Sequence, residues 1–362
     1  MSTLSLPKVA WQLFVVLLFS SLAFAQHYMQ TNLVSDISGM AAVTDPNLKN
    51  PWGLARSASS PWWAADNTTG LSTLYNGMGE IQPLVVTVPP PPDASGPAAP
   101  DGMVFNGTGG FDVALGKSAI FVFVTEDGTI SGWNPGANAT NAILVINHSP
   151  KAVYKGATIS EVRGADYLYV TNFRENRVEV YDTKFNRVRL SRDAFEDRYI
   201  PEGFAPFNIQ AIGRNIYVTY ARQDAEKHDD VAGTGFGFVD IYSPSGKLRG
   251  RLEHGPWFNS PWGVVLTPGE FGTFSHSLLV GNFGSGEIAA FNPVTGRFQG
   301  MVRNLDNSIL AIDGLWALAF GNNGGAGPSN TLFFSAGPNG EQDGLFGTLT
   351  PVAAELNRED VP

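Results

Sequence analysis

The sequence predicts an all-β protein, a six-bladed β-propeller whose last blade is closed by an N-terminal strand. Three observations lead there: a strand–turn–strand unit that recurs six times, a composition rich in turn formers, and no sustained 3.6-residue period outside the N-terminal apolar run. The 362 residues include 41 Gly and 24 Pro but only 15% charged side chains, which describes turn-rich β structure and excludes coiled coil, collagen and disorder. The absence of cysteine excludes a disulfide scaffold, a cysteine nucleophile and thiolate metal sites. The formal net charge of −10 argues against nucleic-acid and anionic-membrane partners, which are bound through excess Lys and Arg.

Taken in order, Lys8, the apolar run 9–24 and Ala23-Phe24-Ala25 before Gln26 have the layout of an export signal, so residues 1–25 are expected to be removed. The run is interrupted by Gln12, Ser20 and Ser21 and is short for a spanning helix. The expected location is therefore the periplasm or the outside of the cell, with no membrane insertion after cleavage. The clearest repeat pair is Asn50-Pro51-Trp52-Gly53-Leu54-Ala55 and Ser260-Pro261-Trp262-Gly263-Val264-Val265. Each is followed by two strands separated by a polar turn, at 62–67 and 71–76 and at 278–282 and 287–292. Further copies stand at 120–125 and 129–134, 167–172 and 177–182, 216–220 and 237–242, and 332–335 and 344–349.

Six four-stranded units cannot bury both their faces alone and must stack radially. The expected blades are 48–92, 100–150, 152–201, 204–257, 258–308, and 311–352 with 27–40. The last unit has only three strands of its own, and residues 27–34 read as the strand that completes it and covers its edge. Pro89 to Pro92, with Pro97 and Pro100, read as a polyproline connection on the surface.

The Asn-Pro-Trp-Gly-Leu-Ala motif resembles a known pattern when joined with two others: the stretch from Gln223-Asp224 through His228-Asp229-Asp230-Val231-Ala232-Gly233, and Asp313-Gly314-Leu315-Trp316-Ala317-Leu318. Together they resemble an uncharacterised family of secreted bacterial six-bladed propellers of NHL-like appearance, some with Pro-Glu-Pro C-terminal sorting tails. The resemblance spans the chain after residue 25 and implies a fold but no activity. No apolar tail follows Pro351, so anchoring by that route is not expected.

In such a fold the starts of the inner strands and the turns between second and third strands converge on one face of the channel. The turn candidates are Asp66, Asn67, Glu126, Asp127, Asn172, Arg174, Asn282, Asn339, Glu341 and Asp343, together with the long fourth-blade insertion 222–236. That insertion carries His228, Asp229 and Asp230, the expected catalytic acid–base residues, since histidine alone titrates near neutrality unaided. Hard oxygen ligands from Asp66, Asn172, Asp229 and Asn282 form a candidate site for a divalent cation such as calcium. The competing reading is a solvated acidic loop. Aligning the inner strands places Trp52, Phe111, Phe207, Trp262 and Trp316 in an aromatic ring that could stack a ligand beside Arg174, with Lys155-Gly156 at the same place in the third blade. The competing reading is that these rings wedge the blades together. Gly116-Lys117-Ser118 lacks the upstream glycine of a phosphate loop, and no G-x-S-x-G elbow occurs.

Three functions follow as expectations: first a monomeric secreted binding module for a glycan, polymer or envelope protein; as its rival a metal-dependent lactonase, hydrolase or lyase working at the channel mouth; and third an envelope assembly part whose blade edges matter more than its channel.

Overall fold

The computed structural model describes residues 27–352; the expected export signal lies outside the described residues. Among the described residues six sheets are arranged radially, antiparallel except for the short parallel pair that Val43–Thr44 makes with the N-terminal strand, and each innermost strand packs against the next, the sixth returning to the first. Among the described residues helix is confined to two single turns, Gly272–Phe274 and Pro338–Glu341. Among the described residues no helix is long and apolar enough to cross a membrane.

Blade 1 comprises Pro51–Ala55, Trp62–Asp66, Leu71–Tyr75 and Val86–Thr87, and blade 2 comprises Pro100–Phe105, Phe121–Thr125, Thr129–Trp133 and Ile143–Asn147. Blade 4 is Phe204–Ile212, Asn215–Arg222, Phe238–Tyr242 and Leu248–Arg251, and blade 5 is Pro261–Leu266, Leu278–Asn282, Ile288–Phe291 and Phe298–Met301. In blade 6, Leu315–Phe320, Leu332–Ala336 and Leu345–Pro351 are completed by the N-terminal strand Tyr28–Ser35, which pairs antiparallel with Leu345–Pro351 from Tyr28↔Pro351 to Ser35↔Leu345. The N-terminal strand therefore fastens the ring as the sequence predicts, and it removes an exposed edge.

Blade 3 departs from the expected four strands. It holds only Tyr154–Val162, Ala165–Asn172 and Arg177–Tyr181. After the turn the chain makes one bridge, Tyr181↔Arg187, and one bond from Val188 N–H to Val180 O at 2.7 Å, and then leaves the edge. Phe195 explains the departure. Its N–H bonds Gly246 O at 2.9 Å and its ring packs on Tyr169 and Tyr242, which draws the segment toward blade 4.

The core lies between blades, where alternate side chains of adjacent sheets interdigitate. Trp63 of blade 1, stacked on Phe121 at 4.2 Å and tilted on Trp133 of blade 2, is one such seam. The inner strands come too close for side chains at some points: a Cβ on Gly102 would lie 2.6 Å from Gly156 Cα. All six inner strands share a register shift against the second strand, just after Pro51, Pro100, Tyr154, Pro206, Pro261 and Leu315. A bulge re-aims the side chain that follows it. The repeated bulge makes Trp52, Asp101, Lys155, Phe207, Trp262 and Trp316 equivalent positions around the channel.

Candidate functional site

Four of these six positions are aromatic and plug the channel. Trp316 is sandwiched between Trp52, at 3.4 Å, and Phe283, at 3.8 Å. Trp262 stands edge-on to Trp52 and Trp316 at 6.1 and 6.0 Å, and Phe207 packs on both at 6.2 and 6.1 Å. All four rings are buried, so their faces are used against each other and none is open to a ligand.

Phe111 does not join them. It lies between blades 2 and 3 against Phe185, with its N–H on Thr183 O at 2.6 Å. Blade 2 contributes Asp101 instead, because its inner strand begins at Pro100, eleven residues before the aromatic that the sequence suggested. The signal was present in Pro100-Asp101-Gly102, which repeats the Pro-x-Gly spacing of Pro51-Trp52-Gly53 and Pro261-Trp262-Gly263.

The two remaining positions are ionisable. Lys155 is 1% exposed; its Nζ lies 4.6 Å from the Trp52 ring centre, forms an ion pair with Glu126 and stands 3.5 Å from Asp229 Oδ1. The same Asp229 oxygen accepts from His228 Nδ1 at 2.9 Å. Asn67 Nδ2 donates to Glu126 Oε2 at 3.0 Å and to Asp101 Oδ1 at 2.7 Å. From the far side of the mouth, Asn50 Nδ2 donates to Glu341 Oε2 at 2.9 Å while its Oδ1 accepts from Trp316 Nε1 at 3.0 Å. A polar layer drawn from blades 1, 2, 3, 4 and 6 thus rests on the aromatic plug. Within it Asp101 Oδ2 and Trp52 Nε1 are buried without a hydrogen-bond partner among the described residues.

The local folding that holds these groups is specific. Residues 222–236 fold back on themselves, with Asp224 N–H on Asp229 O at 2.9 Å and Val231 N–H on Arg222 O at 2.8 Å. The loop is pinned to blade 5 by Gly233 N–H on Asn259 Oδ1 at 2.6 Å, and Asp224 Oδ1 holds the His228 N–H at 2.8 Å. Glu341 ends the Pro338–Glu341 turn, where Asn339, Gly340 and Glu341 all have positive φ; this conformation turns the glutamate toward Asn50.

Charge is unevenly distributed among the acids. The hydrogen bond from His228 holds Asp229 down at about 2, against its partial burial and with help from Lys155. The same bond raises His228 above its ordinary value, with burial opposing and Glu126 assisting. Burial alone would lower Lys155, but Glu126 and then Asp229 outweigh it and keep the ammonium charged. Burial drives Asp101 well above the carboxylate range, Glu126 adds to this, and Lys155 and Asn67 oppose it, so the neutral acid is favoured. Burial likewise pushes Glu341 up to about 7, against its Asn50 bond and with Glu126 adding. Burial also raises Asp230, which lies in electrostatic reach of Lys155.

Three of the four expected metal ligands lie apart from Asp229. Asp66 Oδ2 accepts from the N–H and hydroxyl of Thr73 in its own blade. Asn172 is bonded to Glu175 and Glu179, and Asn282 to Asn259 N–H and Glu287 O. These side chains end second strands and lock the turns beside them. Arg174 donates to Pro150 O at 2.7 Å at the rim of blade 3. Among the described residues, the His, Asp and Glu ligand atoms that come together are those of Glu126, His228 and Asp229, within 4.8 Å of one another. The turn positions named from sequence included Glu126 and Glu341, but not the buried Asp101. The opposite end of the channel, below the plug, opens into a cavity of about 500 Å³ lined mainly by glycine, backbone and apolar side chains.

Fold and site together define a six-bladed β-propeller with a plugged channel and a charged mouth. Uncharacterized protein R648 of Acanthamoeba polyphaga mimivirus is 32% identical over 332 residues, covering 88% of this chain and 78% of that protein, and L690 of the same virus is 30% identical over 88% and 84%. The chain belongs to this family of uncharacterised propeller proteins. No family model matches it. Among solved structures it is similar in fold to streptogramin B lyase, with a TM-score of 0.51 and 13% identity over 91% of this chain and 99% of that one.

Proposed function

We propose that the charged mouth is an acid–base catalytic site, with His228 as the exchanging group, Asp229 orienting it, Glu126 as a second base and Lys155 as the fixed positive charge beneath them. The observation that carries this reading is the single oxygen, Asp229 Oδ1, shared between His228 Nδ1 and the buried Lys155 ammonium, which in turn pairs with Glu126. With Nδ1 engaged, Nε2 is the nitrogen left to take a proton from a ligand or give one to it. Lys155 would stabilise negative charge developing above it in a site of low dielectric. Asp101 and Glu341, raised by burial, and Asp229, held low by His228, have the split protonation that acid–base pairs use. The chemistry that suits such a set is elimination or hydrolysis, and the similar fold of a lyase agrees with the first. The buried aromatics do not favour the alternative of a glycan stacked on the ring.

A second reading is that a divalent cation is held by Glu126, His228 and Asp229, and their 4.8 Å spacing favours it. Lys155 weighs against it, since its ammonium already neutralises two of the three ligands. If residues 1–25 direct export, the chemistry takes place in the periplasm or outside the cell.

The test is turnover of a panel of lactones, glycosides and phosphoesters by residues 26–362. His228→Gln and Glu126→Gln should each lower kcat by roughly 10²- to 10⁴-fold in folded protein. Turnover untouched by both substitutions would overturn the assignment. Melting in EDTA and then in calcium, magnesium, zinc or manganese should give no saturable rise in Tm. A rise abolished by Asp229→Ala would establish the metal reading in its place.

A further inference from the structure

We propose that the open edge of blade 3 is a docking site for an extended acidic segment of a partner protein, which adds there as the missing fourth strand. Blade 3 is the one three-stranded blade among the described residues. Val180 O accepts from Val188, so Val180 faces the outer edge, and by the two-residue alternation of an antiparallel pair the N–H and C=O of Val178 face it as well. The chain that should run beside Val178 has left, and a groove of about 440 Å³ separates strand residues 176–180 from residues 187–196. Unpaired strand edges are templates for strand addition, in which the backbone supplies affinity and alternate side chains supply selectivity.

The side chains along the groove state the selectivity. It is lined by Arg177, Arg187, Arg189 and Arg192 against Glu179 and Glu196, on a protein whose net charge is −10. Arg177 and Arg187 are committed to Glu179, a buried carboxylate that also accepts from Tyr181 and Asn172. Arg189 and Arg192 are exposed and make no ion pair or hydrogen bond among the described residues. Two free guanidinium groups beside an unpaired strand edge match carboxylates spaced at alternate residues of an incoming strand. This inference does not rest on the chemistry of the channel mouth, which lies on other residues.

The experiment is fluorescence anisotropy of the mature protein with three labelled heptapeptides: alternating Glu and Val, alternating Lys and Val, and the acidic peptide with its central valine replaced by proline. The acidic peptide should bind saturably and weaken as salt is raised, while the lysine peptide should bind at least tenfold more weakly. The proline peptide should also lose at least tenfold, because proline removes a ladder donor. Arg189→Glu with Arg192→Glu should weaken the acidic peptide at least tenfold with the circular dichroism unchanged, whereas His228→Gln should leave it unaffected. Absence of acidic-peptide binding up to ~1 mM, equal binding of the lysine peptide, or binding indifferent to the arginine pair would overturn the docking site. Equal binding of the proline peptide would overturn strand addition.

Discussion

Lys155 and Glu126 come from neighbouring blades and meet in an ion pair above the Trp52 ring, with Lys155 buried to 1% exposure and the Glu126 side chain to 12%. Neither charge could be kept there alone. A buried cation without its partner costs several kcal/mol, and the pair is tolerated because Asn67 and Asp229 saturate its remaining oxygens and charge.

Lys155→Met should therefore destabilise the fold by about 3–5 kcal/mol, since it leaves Glu126 and Asp229 facing each other uncompensated. Lys155→Met combined with Glu126→Gln should recover a large part of the loss. Urea unfolding midpoints at constant m measure both.

Stability should fall as pH rises from about 4 to about 8. Glu341 has its pKa raised from 4.5 to about 7, so the folded state holds a proton that the unfolded state has released across that window. Its contribution is present below the unfolded value and lost as pH passes through the folded one, an effect of roughly 3 kcal/mol. Asp240, raised to about 6 by burial against its Arg251 bond, acts in the same direction at slightly lower pH. His228, also raised, loses its stabilising proton as pH climbs through its folded value. Glu341→Gln should flatten the profile and stabilise the protein at pH 8, as read by thermal melts across pH.

Asp229→Asn should lower the His228 pKa, because the hydrogen bond to the Asp229 carboxylate is the largest cause of its upward shift. A histidine ring-proton NMR titration of the two proteins would show it. An unshifted His228 resonance would mean that the 2.9 Å contact does not persist in solution.

Removal of residues 26–35 should leave the edge of Leu345–Pro351 unpaired along the register that Tyr28–Ser35 now occupies. The truncated protein should aggregate or self-associate, seen as a shift in size-exclusion elution, while a chain beginning at residue 26 stays unshifted.

Much of this architecture could be read from the chain. Turn residues at fixed offsets and short β-branched and aromatic runs are local signals, and they mark the second and third strands of all six blades and the N-terminal closure at Tyr28–Ser35. The weak points were those set by contacts distant in sequence. Phe195, reaching Gly246 in the next blade, deprives blade 3 of its fourth strand, and nothing near residues 187–190 announces it. Phe111 aligns with the ring aromatics as an inner-strand start, while the bulge register places Asp101 at that position.

At the mouth the division is sharper. The repeat by itself determined that inner-strand starts and second turns would share one face, and it named Glu126, His228, Asp229 and Glu341 among the groups there. Only the tertiary structure decided that Lys155 would lie buried between Glu126 and Asp229, that Asp101 would be kept neutral, and that four aromatics would close the channel instead of lining it. The physical reason is that protonation and pairing depend on distance and dielectric. Both are set by which blades the closed ring brings together, and neither is written in the spacing of residues along one blade.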